Sequence, residues 1–160
     1  MSDGTHNLST PRKECRCPIC ADLCNGNPGW FMPGEAELAA QHVGLTFREF
    51  FDKYLIVEYW VGNAGDVLVL APRRVTQHGQ MATYADNFSR AKCRLLTDSG
   101  CSLSVERRPF ECAVCVQCDD NLDGGQNRKN HRADIQKAWD VPKLQKWLHG
   151  LSGRSWDYEE

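Results

Sequence analysis

The sequence predicts a small α plus irregular fold with few short strands, in which a helical frame carries cysteine-rich metal-binding loops. Three observations predict it. Nine cysteines fall in two blocks, "CRCPICADLC" from Cys15 to Cys24 and "CRLLTDSGCSLSVERRPFECAVCVQC" from Cys93 to Cys118, and residues 25–92 contain none. The stretch between the blocks and the stretch after them place apolar residues at helical spacing. One segment, "GDVLVLAP", has the β-branched and leucine composition of a buried strand bounded by Gly and Pro.

A chain of 160 residues with 41% apolar residues and five tryptophans is the right size for one domain with a modest core of its own. Residues 1–14 read as a flexible N-terminal tail, 15–151 as the single cysteine-cluster domain, and 152–160 as a C-terminal tail. The net charge is −2 with acids and bases interspersed, so no basic stripe invites nucleic acid. "MSDGTHNLSTPRKE" lacks the apolar segment of a secretory signal, and no run of 18 apolar residues offers a membrane span. A cytoplasmic location is therefore expected. Reductants there keep thiols free, and clustered cysteines bind metal or do redox work.

The elements follow in order. The first cysteine block runs into "CNGNPGW", which is loop chemistry. "PGEAELAAQHVG" reads as a short helix with Pro33 near its start, Glu35 and Glu37 in its first turn and Gly44 at its stop. "LTFREFFDKYL" is the clearest helix, expected from Thr46 to about Leu55. Thr46 as N-cap and Glu49 form a capping box, and Leu45 can staple onto Phe50. Phe47, Phe50, Phe51, Tyr54 and Leu55 make its buried face. "RRVTQHGQMATYADNFSR" has no firm period and reads mostly as loop. Short extended pieces at Cys93–Leu96 and Ser102–Val105 flank the turn "TDSG" and can pair as a hairpin. "RKNHRADIQKAWDVPKLQKWLHGL" is helical again. Asp140 is expected to cap its second helix, with Pro142 in the first turn and Leu144, Trp147, Leu148 and Leu151 as an apolar stripe.

Thiolates bind soft or borderline metals, and two of them separated by two or three residues reach one tetrahedral centre from a single turn. Cys17, Cys20 and Cys24 have that spacing, as do Cys112, Cys115 and Cys118. Cys15 is only one residue from Cys17 and is expected to point elsewhere. A dithiol redox pair should follow a strand and open a helix in a βαβ context, which is missing here. Zinc and a [4Fe–4S] cluster both accept all-thiolate sites. "CAVCVQC" echoes the start of a bacterial ferredoxin run without its C-x3-C-P continuation.

In order along the chain stand C-x2-C-x3-C, "NPGWFMPGEAELAAQHVGLTFREFFDKYLIVEYW", "VLVLAP" and "KCRLLTDSGCSLSVERRPFEC". Together they resemble the YkgJ-like cysteine-cluster family, described as a zinc- or iron-chelating domain. The resemblance covers residues 15 to about 118, and the segment from His131 through Trp139 is compatible with it. It implies Cys17, Cys20, Cys24, Cys93, Cys101 and Cys112 as matched ligand positions, with Cys115 and Cys118 as further ligands of the late block. The first block lacks the adjacent Cys-Cys often seen at its end, and "CAVCVQC" replaces a single further cysteine.

Other features read as structural. Pro109 in "RRPFEC" fixes a turn feeding Cys112, and Arg107 or Arg108 can offset thiolate charge. "DDNLDGGQNRKN" has Asp119, Asn121, Asp123 and Gly124 in calcium-loop order, but Asn130 stands where a bidentate Glu is needed, so it reads as a turn-rich surface loop. His42, His78, His131 and His149 are isolated, and His131 is the one that can approach the late block. No catalytic triad, phosphate loop or dinucleotide fingerprint occurs. The expected function is metal chelation by Cys17, Cys20, Cys24, Cys93, Cys101, Cys112, Cys115 and Cys118. The preferred cofactor is an iron–sulfur cluster, [4Fe–4S], serving a redox or accessory role toward a protein partner. The alternative is a zinc-stabilised protein-interaction module.

Overall fold

The computed structural model describes residues 24–26, 28–59, 67–77, 79–83, 90–98, 100–114 and 126–153. They form a small α+β unit. Its elements are α1 (Glu35–His42), α2 (Phe47–Tyr54), β1 (Leu55–Tyr59), β2 (Leu68–Pro72), β3 (Leu96–Thr97), β4 (Gly100–Cys101), a 3-10 turn (Val105–Arg107), α3 (Phe110–Val114), α4 (Gln126–Trp139) and α5 (Pro142–Leu151). β1 and β2 pair antiparallel with Val57 opposite Leu70, and β3 and β4 make a minimal hairpin with Leu96 opposite Cys101.

α1 ends where Gly44 takes a positive φ of 78°, a conformation open to glycine and costly for other residues. α2 begins with the expected capping box. The Glu49 amide donates to Thr46 Oγ1 at 3.1 Å, and the Thr46 amide donates to Glu49 Oε1 at 2.9 Å. Phe50 and Phe51 are buried from this helix, and Phe47 packs against Trp147 of α5 in a tilted pair with ring centroids 5.3 Å apart.

Two expectations are corrected here. The helix over Thr46–Leu55 stops at Tyr54, because Leu55 is already extended (φ −119°, ψ 166°) and opens β1. The run Leu55-Ile56-Val57 is fully buried, Ile56 and Val57 are β-branched, and cross-strand pairing with β2 outweighs one more helical turn. Asp140 does not cap α5. Val141 occupies the N-cap position without a side-chain bond, and Pro142 starts the helix with its φ already set.

Both edges of the two-stranded sheet are covered, which satisfies backbone groups that would otherwise be open to pairing. On the β1 side, Val57 donates to the Gln80 carbonyl at 3.1 Å and accepts from the Ala82 amide at 2.8 Å. On the β2 side, the Phe31 amide donates to the Leu70 carbonyl at 2.9 Å. Farther along that edge, the Gln145 side chain accepts from the Leu68 amide and donates to the Leu68 carbonyl, each at 2.9 Å. A side chain of α5 thus completes the ladder of β2. α4 and α5 both pack on β2, and Trp139 closes the core by donating its indole N–H to the Phe31 carbonyl at 2.8 Å. Among the described residues, no helix is long and apolar enough to cross a membrane.

Candidate metal centre

Four cysteines arrive at one region from four places in the chain. Cys24 ends the first block, Cys93 opens the late block, Cys101 lies in β4 and Cys112 lies in α3. None of the four is in a disulfide. The backbone joins the two blocks directly. The Cys93 amide donates to the Cys24 carbonyl at 2.8 Å, and the Ala91 amide donates to the Gly26 carbonyl at 3.1 Å. On its other side, Cys93 forms an antiparallel bridge with Arg74, where the Val75 amide donates to Lys92 and the Arg94 amide to Arg73, both at 2.8 Å. Cys93 is therefore held between the Cys24–Gly26 turn of helix and the Arg73–Val75 segment and is 6% exposed.

Three of the sulfurs accept backbone N–H groups. Leu95 donates to Cys93 Sγ and Leu103 to Cys101 Sγ, each at 3.4 Å and each from two residues downstream. Gly29 donates to Cys112 Sγ at 3.3 Å across 83 positions of sequence. Cys24 instead faces the positive charge of Arg108, whose Nε also donates to the Leu103 carbonyl at 2.9 Å. Of the two arginines flagged in the sequence, Arg108 opposes the rise at the Cys24 thiol. Arg107 donates to the Glu106 carbonyl at 3.4 Å. Pro109 serves as expected, accepting from the Cys112 amide at 2.9 Å as α3 begins.

The thiols influence one another. Burial pushes the Cys24 thiol up, Cys101 adds to the rise, and Arg108 opposes it. The Cys93 thiol is pushed up to about 12, first by burial and then by Cys24 and Cys101, against the Leu95 and Leu96 amides. Burial raises Cys112 well above its ordinary value, with Cys24, Cys93 and Glu111 adding to the rise and the Gly29 amide opposing it. Burial thus disfavours the thiolate form at each of these three sulfurs. Thiolates at these positions would raise one another's pKa, and a cation among them would relieve that repulsion. The donor set is soft and its sulfurs already receive N–H groups, which suits a thiophilic metal. Among the described residues, no three His, Cys, Asp or Glu side chains form a ready metal-binding group.

A buried polar chain fixes α3. Glu111, 0% exposed, accepts the Trp30 amide on Oε1 and Arg132 Nε on Oε2, both at 2.8 Å. The Arg132 guanidinium lies 4.0 Å over the Trp30 ring. The Trp30 indole N–H donates to Glu58 at 3.1 Å, and Glu58 pairs with Arg74 at 3.2 Å, next to the bridge that holds Cys93. Glu35 accepts the Met32 and Phe110 amides at 2.7 and 2.9 Å, tying α1 to the start of α3. Sequence patterns do not announce this polar network beyond its residue types, since most partners stand far apart along the chain. His131 does approach the late block, with its ring edge-on to Phe110 at 5.3 Å.

Of the expected ligands, Cys24, Cys93, Cys101 and Cys112 lie among the described residues, linked by the Cys24–Cys93 backbone bond and by the influence of their thiols on one another. Cys17, Cys20, Cys115 and Cys118 lie outside the described residues, as do Cys15, His78 and the Asp119–Gly124 part of the calcium-like loop. Compared with family models, curated proteins and solved structures, the chain matches none.

Proposed function

We propose that this protein is a metal-chelating cysteine-cluster protein whose centre is built on Cys24, Cys93, Cys101 and Cys112. Cys17, Cys20, Cys115 and Cys118 supply further thiolates from the adjoining segments. The observation that carries the reading is the convergence of four thiols from separate segments, with backbone N–H groups directed at three of the sulfurs. Chance burial of cysteine as a small hydrophobe does not account for repeated N–H donation to sulfur. The bound group of choice is an iron–sulfur cluster, [4Fe–4S]. All-sulfur donors, the scarcity of histidine near the blocks and the "CAVCVQC" run favour it. When bound, such a group supplies one-electron transfer, and the chain serves as a redox or accessory protein to a partner enzyme in the cytoplasm. The resemblance to the YkgJ-like family agrees with metal chelation.

The chain's own residues would hold the sulfurs, exclude water and set the local charge. Arg108 offsets negative charge at Cys24, and the amides of Gly29, Leu95 and Leu103 do so at their sulfurs. Zinc is the second reading, favoured by the same all-thiolate set, and it makes the protein a zinc-stabilised interaction module. Purification without air separates the two. A coloured protein with iron and acid-labile sulfide supports the cluster, a colourless protein with zinc supports the second reading, and metal-free protein under both iron and zinc supplementation sinks the proposal.

A further inference from the structure

Gly29 meets Cys112 more closely than any residue with a side chain could. A Cβ at position 29 would lie 2.7 Å from the Glu111 Cβ, 2.9 Å from the Cys112 amide nitrogen and 3.0 Å from Cys112 Sγ. The contact is part of a clasp. Gly29 donates to the Cys112 sulfur, Trp30 donates to the Glu111 carboxylate, and the Glu111 amide returns a bond to the Trp30 carbonyl at 3.3 Å. Two adjacent residues of one segment thus bind two adjacent residues of another, and the sulfur lies at the end of the clasp. The amides serving Cys93 and Cys101 come from their own loops and move with their cysteines. The Gly29 amide comes from a segment fixed independently of Cys112 by the Phe31 bond to β2.

We infer that Gly29 is a positioning residue for the metal-bound Cys112 sulfur. Its missing side chain lets the backbone reach the thiolate, and its N–H fixes the direction in which the sulfur presents its remaining lone pairs. The inference rests on the metal reading above and adds a specific donor to it. Partners of this kind, which orient a ligand without touching the metal, typically change metal affinity by about 10- to 100-fold when lost. The reason is electrostatic and geometric together. An N–H bond removes part of the thiolate charge and limits rotation about the Cβ–Sγ bond, so less order has to be imposed when the metal binds.

The test uses the full chain, labelled with nitrogen-15 and loaded with cadmium-113 as the probe. In the wild-type protein, the Gly29 amide should show a scalar coupling to cadmium transmitted through the N–H···S bond. Gly29→Ala should bind cadmium about 10- to 100-fold more weakly with its helical circular dichroism retained. Cadmium bound through sulfur, with couplings at Leu95 and Leu103 but none at Gly29, overturns this inference and leaves the metal reading standing. Unchanged cadmium affinity in a folded Gly29→Ala protein also overturns it. If Gly29→Ala does not fold, the wild-type coupling alone decides. Absence of any sulfur-bound cadmium removes the metal reading, and this inference falls with it.

Discussion

Glu111 and Cys112 are neighbours in sequence that perform opposite electrostatic tasks. The carboxylate is buried and compensated by Arg132 and the Trp30 amide, while the thiol beside it is driven toward its neutral form by burial and by charges nearby. Removing the charge of Glu111 while Arg132 remains leaves a cation stranded in a site where its side chain is only 13% exposed. We expect Glu111→Gln to cost about 3–5 kcal/mol, because breaking one side of a buried pair strands the other. The double variant Glu111→Gln/Arg132→Met should cost less than Glu111→Gln alone. Urea unfolding of both proteins checks this, and a larger loss in the double variant contradicts it. At this scale the sequence was legible where partners are local. The Pro109 turn was readable from "RRPFEC", and so was a charge at Arg107 or Arg108, though not which of the two. The acceptors Glu35, Glu58 and Glu111 were not, since solvated carboxylates and buried ones share one letter and their partners arrive from distant segments.

Among elements, α2 shows how local signals suffice when they agree. Its capping box, first turn and apolar spacing all point to one helix, and the helix forms where they do. Thr46→Ala should destabilise the protein by about 1 kcal/mol, the usual cost of losing an N-cap, seen as a lower midpoint in thermal unfolding. No change in the midpoint would mean that packing of Phe50 and Phe51 alone sets this helix. β1 was missed for the same reason that α2 was found. Leu55 continues the helical spacing, so periodicity absorbed a residue that tertiary pairing assigns to a strand. The hairpin was foreseen around "TDSG", but its ladder sits closer to the turn than expected, at Leu96–Thr97 and Gly100–Cys101. Gln145 completes the edge of β2, a role that no helical pattern announces. Gln145→Ala leaves the Leu68 amide and carbonyl without that partner, at a cost of about 1–3 kcal/mol for each buried group left unsatisfied. Denaturant midpoints will show it, and a loss below about 0.5 kcal/mol would mean that the edge finds other partners.

For the molecule as a whole, the helical frame and the thiol region draw on different sources of stability. The frame has a core of Trp30, Phe31, Phe50, Phe51, Leu70, Ile135, Trp139 and Leu148 that involves no metal. The thiol region holds groups that repel when ionised, so under the proposed metal reading the binding energy there is partly folding energy. Chelation under reducing conditions should therefore loosen the loops around Cys24, Cys93 and Cys112 and leave most of the helical circular dichroism in place. Complete loss of the helical signal would show that the metal supports the frame as well. The small helical frame and the meeting of the Cys24 and Cys93 segments were legible because cysteines cluster in sequence and helices announce themselves by period. The clasp at Gly29 was not, because a glycine beside a proline reads as a turn until the second segment is placed against it. The most direct test of the account is metal per chain, by elemental analysis of protein purified without air, for single Cys→Ser variants that keep their helical signal. Serine offers a hard oxygen in place of a soft thiolate. The account predicts nearly full metal in Cys15→Ser and a sharp loss in Cys20→Ser, Cys24→Ser, Cys93→Ser, Cys101→Ser and Cys112→Ser. Full metal in Cys93→Ser and Cys112→Ser, with loss in Cys15→Ser, would contradict it.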